Sequence, residues 1–377
     1  MRSADGKIVL EGDTKIWIPE NTAVKRSSTS VFYNPEMELA RDISIAVLNA
    51  ISDEKFVFLD ALAGSGARGI RVANELGLET TLNDWNELAY RTIRKNAELN
   101  GLNVEIKNEN AKVLLSESKF DVVDIDPFGS PAVFLDAACY SARKILCVTA
   151  TDTAPLSGAH PASGLRKYSA HTYKTDFYPE IGMRTLLGKI ARSSSPYDKF
   201  IEPLLSHATR HYFRTYLSIK RGKRETNKMM QEIGFISYCK NCLFREYFYG
   251  VDAQVGKICP RCGDKTISIG PLWLGRLHDR EVVEDALQKL ELRNLGKKRE
   301  ARKILESCKD EMAIPGYYDY HIISKVHGVK LKPIEVVIKE LKEDGYGATR
   351  THFSGTGIKT DAGIDELVKV MNKRSLI

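Results

Sequence analysis

The chain has 377 residues, with 56 Lys+Arg against 49 Asp+Glu, a net charge of +7, 43% hydrophobic and 28% charged residues. That is an ordinary globular composition, long enough for roughly two to three cored domains, and it excludes wholesale disorder, collagen-like repeats and a small disulfide scaffold. No apolar run approaches the roughly 20 residues of a membrane-spanning helix, and residues 1–10 carry Arg2, Asp5 and Lys7 with no apolar stretch, so neither a membrane span nor a secretory signal is expected and the cytosol is the expected compartment.

In chain order, a short strand at 15–19 is followed by a polar stretch over 21–30. Asn34-Pro35 leads into a helix over 36–50, with Met37, Leu39, Ile43, Ala46, Val47 and Ala50 on its apolar face. Strands then alternate with helices: strand 55–60, helix 66–76, strand 80–84, helix 86–100, strand 104–106, strand 120–126, helix 132–142, strand 144–151. This is the rhythm of a doubly wound parallel sheet. Residues 152–178 are rich in Gly, Pro, His and Ser and are expected to form a functional loop. A helix is expected over 202–209 and an antiparallel strand over 212–220. The basic run Lys220-Arg221-Gly222-Lys223-Arg224 marks a turn or domain boundary. Charged helices follow over 279–295 and 297–311. The tail, 317–370, gives helix, helix and a Gly-rich hairpin over 348–360, the order of a winged helix.

The charge is uneven. Residues 1–150 hold 17 Lys+Arg and 22 Asp+Glu, a balance of −5, and the remainder holds 39 and 27, a balance of +12. The basic half offers a surface for a polyanion; a merely solubilising surface is the plainer alternative.

The strand ending at Asp60 runs into Ala61-Leu62-Ala63-Gly64-Ser65-Gly66-Ala67-Arg68-Gly69 and a helix. Gly64, Gly66 and Gly69 match a dinucleotide-type glycine turn in its proper strand–turn–helix setting. Twenty residues after Gly64, Asp84 ends the next strand, where a carboxylate can accept the ribose hydroxyls of an adenine nucleoside. A glycine turn serving packing alone is the other reading. Asp60, four residues ahead of the first glycine, suits a cofactor with a cationic amino acid end and would crowd a pyrophosphate. After the third strand, Asn110 can face an adenine amino group and Ala111 can offer its amide. S-adenosylmethionine is therefore favoured over a nicotinamide dinucleotide.

The fourth strand ends in Asp124-Ile125-Asp126-Pro127-Phe128-Gly129. A nucleobase amine is a poor nucleophile because its lone pair is delocalised into the ring. A carboxylate and a carbonyl accepting its N–H groups favour the pyramidal form and aim the lone pair. Asp126 supplies that carboxylate and can also take the proton; Pro127 stiffens the turn and Phe128 can stack on the base. A plain Asp-Pro turn is the alternative. Phe32 is a second aromatic for the base, or a core residue. Arg41, in an apolar helix, needs a partner: the cofactor carboxylate or an ordinary salt bridge. Arg68 can reach the same carboxylate or face solvent.

Together, Asn34-Pro35 with Glu38-Leu39-Ala40-Arg41-Asp42, the segment 60–69, the segment 124–131 and Val148-Thr149-Ala150-Thr151-Asp152-Thr153-Ala154 resemble the archaeal-type tRNA (guanine-26-N2) dimethyltransferase family over nearly the whole chain. The resemblance implies a class I (Rossmann-like) methyltransferase domain, S-adenosylmethionine, tRNA as partner and two successive methylations of one guanine amine. It carries cofactor roles onto Arg41, Arg68, Asp84, Asn110 and Ala111, and a catalytic role onto Asp126. Position 110 is Asn where many relatives have Asp. An N6-adenine methyltransferase acting on RNA or DNA and a non-catalytic nucleic-acid-binding protein are the rival readings.

Cys239-Lys240-Asn241-Cys242 and Cys259-Pro260-Arg261-Cys262 are separated by 16 residues, the spacing of a closed four-thiolate zinc site. Two disulfides are the alternative. Basic and aromatic residues nearby, among them Arg245, Tyr247, Phe248 and Lys257, can meet phosphates and unpaired bases, or build a small core. The expected division is a methyltransferase domain over 1–222 and a C-terminal α+β tRNA-binding domain over 223–377 containing the zinc module at 239–262 and the winged helix. No obligate protein partner is implied.

Overall fold

The computed structural model describes residues 6–20, 22–23 and 31–373; the first five residues and most of the polar stretch 21–30 lie outside the described residues. The central sheet has seven strands: β1 (Val57–Asp60), β2 (Glu79–Asn83), β3 (Glu105–Lys107), β4 (Phe120–Ile125), β5 (Ala142–Ala150), β6 (Lys199–Thr209) and β7 (Tyr212–Arg221). Their spatial order is β3-β2-β1-β4-β5-β7-β6. β1 to β5 pair in parallel, and β7 runs antiparallel to both β5 and β6.

Strands covered on both faces need apolar residues at successive positions, not alternate ones. β1, β4 and β5 meet that need. Leu59, Val123 and Leu146 point into one core with helices Leu135–Ser141 and Tyr178–Ser194, while Phe58, Val122 and Cys147 point into another with helix Glu38–Ile51. Asp60 is in register with Leu82 on β2 and with Asp124 on β4. The sheet order reverses between β1 and β4, so a crevice opens at their carboxyl ends, the place where such sheets bind ligands.

Two expectations fail. Residues 202–209 form part of β6, not a helix, and zip antiparallel onto β7 with a bulge between Pro203 and Leu205. A short apolar run fits both periods, and the long-range pairing decides. Residues 152–178 are not a plain loop but hold helices Thr153–Leu156 and Pro161–Tyr168.

Beyond β7, strand Ile233–Tyr238 pairs with Arg245–Tyr249 and Ile267–Trp273 in a small antiparallel sheet that carries both cysteine pairs. Helices Arg280–Glu291 and Lys298–Asp310 then return to pack on helix Glu38–Ile51, so Val283, Ala286, Leu290, Ala301 and Leu305 share a core with Ile43 and Val47. The tail follows the winged-helix order: strand Tyr318–Asp319, helices Tyr320–His327 and Ile334–Glu343, and hairpin Ala348–Thr351/Ser354–Thr360, with 354–360 central in the sheet. Among the described residues no helix is long and apolar enough to cross a membrane.

Candidate active site

The glycine turn after β1 is shaped by its backbone. Gly64 and Gly66 sit at φ 57° and 80°, a region costly for other residues. A side chain at Gly69 would meet Leu82 at 2.6 Å, so the third glycine lets the helix lie against β2. Asp84 holds this turn, its carboxylate accepting from the Gly64 and Asn86 N–H groups at 2.9 Å each. Burial raises its pKa. Asp60 sits behind the turn, buried, accepting the Gly69 N–H at 3.0 Å. Burial and the Asp124 carboxylate push it up to about 7.

Above the turn lies a cavity of about 500 Å³. Gly64, Asp84, Asn110, Ala111, Asp126, Phe128 and Phe32 all line it, joining residues expected to hold a nucleoside to those expected to act on an amine. Asn110 caps helix Ala111–Glu117, its side chain accepting from Lys112 N at 2.9 Å, so its oxygen already has a partner. Leu62, Trp85, Val133 and Phe134 also line the cavity and were not expected. Trp85 directly follows Asp84 and stays 69% exposed, and that adjacency was the available signal.

Asp126 ends a chain of alternating charges. Arg214, fully buried on β7, donates to both Asp124 oxygens at 2.8 and 2.5 Å and to Thr149 Oγ1 at 2.9 Å. Arg68 lies 3.7 Å from Asp124 and donates to Asp126 Oδ2 at 2.5 Å. Ser44 Oγ accepts from Arg68 at 2.5 Å and contacts the Tyr216 hydroxyl at 2.7 Å. Burial alone would raise the Asp126 pKa, but Arg68 and Arg214 outweigh it and hold the carboxyl below its usual range.

The turn after Asp126 is pinned from two sides. Gly129, at φ 95°, donates its N–H to Thr151 Oγ1 at 2.9 Å and accepts the Thr151 N–H at 3.0 Å. Ser130 Oγ lies 2.8 Å from the buried Tyr168 hydroxyl, which donates to Asp152 at 2.6 Å. Helix Pro161–Tyr168 thus buttresses the turn, a task for the 152–178 segment that its sequence did not disclose. At the mouth, Phe32 and Phe128 meet edge to face, centroids 5.7 Å apart, with 37% and 52% of their surfaces exposed. Exposed paired rings at the mouth of a cavity are positioned for a planar ligand.

Arg41 is elsewhere. It forks onto Glu11 at 2.6 and 2.5 Å and does not line the cavity, so the ordinary salt-bridge alternative describes its position.

With this geometry in place, likeness to known proteins becomes decisive. Residues 12–372 match the family described as N2,N2-dimethylguanosine tRNA methyltransferase. The chain belongs to this family. A tRNA (guanine(26)-N(2))-dimethyltransferase of Methanosarcina mazei is 43% identical, covering 97% of this chain and 98% of its own, and one of Methanobrevibacter smithii is 40% identical with 98% coverage of each. The solved structure of Trm1 from Pyrococcus horikoshii with S-adenosyl-L-methionine superposes with a TM-score of 0.87 at 37% identity, over 97% of this chain and all of that one.

The methyltransferase also carries its four cysteines as free thiols in one cluster, every pair of sulfurs within 4.8 Å. Cys239–Cys262 and Cys242–Cys259 lie 3.5 and 3.6 Å apart. Those distances are far beyond an S–S bond of about 2.05 Å. They approach the spacing of roughly 3.8 Å that Zn–S bonds of about 2.3 Å impose on a tetrahedron. The donor set fits structural zinc, and the disulfide alternative is set aside.

Proposed function

We propose that this chain transfers two methyl groups from S-adenosylmethionine to the exocyclic N2 amine of guanine 26 in tRNA. The observation that carries this reading is the opening of the Asp126-Pro127-Phe128-Gly129 turn into the same cavity as Gly64, Asp84, Asn110 and Ala111.

In this reading S-adenosylmethionine supplies the electrophilic methyl group. Asp84 holds the ribose hydroxyls, and Asn110 and Ala111 meet the adenine; Arg68, which like Arg41 does not line the cavity, is committed to Ser44 and Asp126 and not to the amino acid carboxylate. The cavity volume, about 500 Å³, accommodates a nucleoside with its side arm. Asp60 keeps the glycine turn in shape from behind.

The protein's task on the acceptor side is orientation. A guanine stacked within folded tRNA must leave the stack to reach this pocket. Phe32 and Phe128 hold its faces. The Asp126 carboxylate accepts an N–H of the amine and keeps the lone pair clear of the ring. With its pKa held low, Asp126 stays ionised as an acceptor and is a weak base; each transfer releases one amine proton, which passes on to water. A secondary amine still has one N–H for Asp126, so the same contact serves the second methylation.

The expected division of labour assigns the chemistry to residues 1–222 and the grip on tRNA to the exposed basic residues of 223–377; Arg245 is not among them, being buried against Asp176 at 2.8 Å. The cytosol, where tRNA and cofactor meet, is the compartment this reading implies.

The deciding experiment incubates full-length protein with labelled S-adenosylmethionine and tRNA, then digests the product to nucleosides. N2,N2-dimethylguanosine supports the reading. Methyladenosine, or no incorporation, overturns it.

A further inference from the structure

A second set of metal-ligating side chains converges away from the cysteine module. His278 precedes helix Arg280–Glu291, Cys308 lies in the last turn of helix Lys298–Asp310, and His352 occupies the turn between strands Ala348–Thr351 and Ser354–Thr360. One donor atom from each lies within 4.8 Å of the others. All three are removed from solvent: Cys308 is 1% exposed, and the side chains of His278 and His352 are 9% and 2% exposed.

Two features separate this cluster from an ordinary buried ion pair. His278 Nε2 is buried without a hydrogen-bond partner. Such orphaned nitrogens are rare, and an absent ion is one physical reason for them. His352 Nδ1, in turn, meets Glu311 Oε2 at 2.5 Å. A carboxylate behind an imidazole fixes its orientation and tautomer, and is the usual support of a metal-bound histidine. Glu311 is itself anchored by Lys359 Nζ at 3.0 Å, which also reaches Glu180 at 3.1 Å. The remaining ring contacts, from Ser206 N at 3.5 Å and Ala208 N at 3.4 Å, are long for hydrogen bonds. The Glu311–Lys359 pair explains His352 Nδ1, and Glu311 Oε2 also lies 3.9 Å from His278 Nε2, too far for a hydrogen bond, so the pair does not account for a thiol and an unbonded imidazole nitrogen gathered at the same point.

A cavity of about 320 Å³ borders His278, Cys308 and Glu311. It supplies an entry path and room for water as a further ligand.

We propose that His278, Cys308 and His352 bind a divalent cation of the zinc type. Two imidazoles and one thiolate suit that borderline-soft ion better than magnesium or calcium, which prefer oxygen. The ligands come from three separate segments, and His352 belongs to the hairpin of the winged-helix tail. The ion acts as a staple, tying that hairpin to the two helices packed on the catalytic sheet.

The test is the metal content of full-length protein purified without chelators. About two zinc ions per chain are expected, falling to about one in His278→Gln or Cys308→Ala, with folding checked by circular dichroism and cofactor binding. Because loss of metal in a variant can follow from unfolding, cobalt titration of metal-free wild-type protein gives a second reading. Saturation at about two equivalents, with the last equivalent adding a weaker thiolate-to-cobalt absorption than the first, supports the site. One zinc per chain in the wild type, or two that survive both substitutions, overturns it.

Discussion

Buried Arg68 donates at 2.5 Å to Asp126, which lines the cavity, and the same guanidinium lies 3.7 Å from Asp124. In the proposed reading the pair sets the ionisation of the acceptor carboxylate. In Arg68→Met, Asp126 would keep Arg214 but face Asp124 and Asp60 without its nearest cation, and its pKa would rise. A required carboxylate is lost as pH falls through its folded-state pKa, so the acid limb of the kcat–pH profile should move to higher pH. An acid limb identical to that of the wild type would show that Arg68 does not tune Asp126.

Asp126→Asn keeps the size of the side chain but removes its charge. Methyl transfer in single-turnover experiments should fall by about 10²–10³-fold, the usual cost of losing one preorganised electrostatic contact, and further in Asp126→Ala. Affinity for S-adenosylmethionine should stay within a few-fold, since Asp84 and Asn110 follow other strands. A fully active Asp126→Ala would refute the assignment.

Phe32 and Phe128 predict a split between the two ligands. A stacked base is worth about 1–3 kcal/mol per aromatic contact, so either Ala variant should weaken tRNA binding or raise its KM by roughly 5- to 150-fold while sparing the cofactor. Because the two rings touch, the double variant should lose less than the sum of the singles. Equal loss of cofactor affinity would place the rings on the other ligand.

How far these residues were legible depends on how local their signals are. Asp60 and Asp126 stand at strand ends with glycine or proline within the next four residues, a turn that announces itself locally, and Asp84 follows the next strand twenty residues after Gly64. Tyr168 buttresses Ser130 across 38 positions, and Arg214 reaches Asp124 across 90. Nothing near either in the chain encodes those meetings. Arg214 did leave a trace: it lies within an apolar strand, and the reasoning that asked Arg41 for a partner applies to it equally. Strand β6 is illegible for the same reason, since its identity comes from its pairing with β7 and not from its own period.

Cys239→Ser with Cys242→Ser should release the zinc of the cysteine module. Metal binding here contributes directly to folding, so thermal stability and tRNA affinity should fall. Cofactor affinity, measured below the new unfolding temperature, should be retained. Reductant alone should change nothing, as free thiols hold the site. Loss of stability on reduction would restore the disulfide reading.

The basic half should make tRNA binding steeply salt dependent, with log affinity falling linearly against log salt concentration. A flat response would mean that the positive charges are scattered and not gathered on one face.

Helix Glu38–Ile51 lies between the central sheet and the pair Arg280–Glu291 and Lys298–Asp310, and Asp42 on it accepts the Lys297 N–H at 2.7 Å. A fragment cut at residue 222 would therefore expose the apolar flank of that helix to water, with Ile43 and Val47 stripped of neighbours. A fragment of residues 1–222 should not fold as a portable module. Damage inflicted near the C-terminus should travel inward and surface as a weakened hold on a small molecule bound at the far end of the sheet.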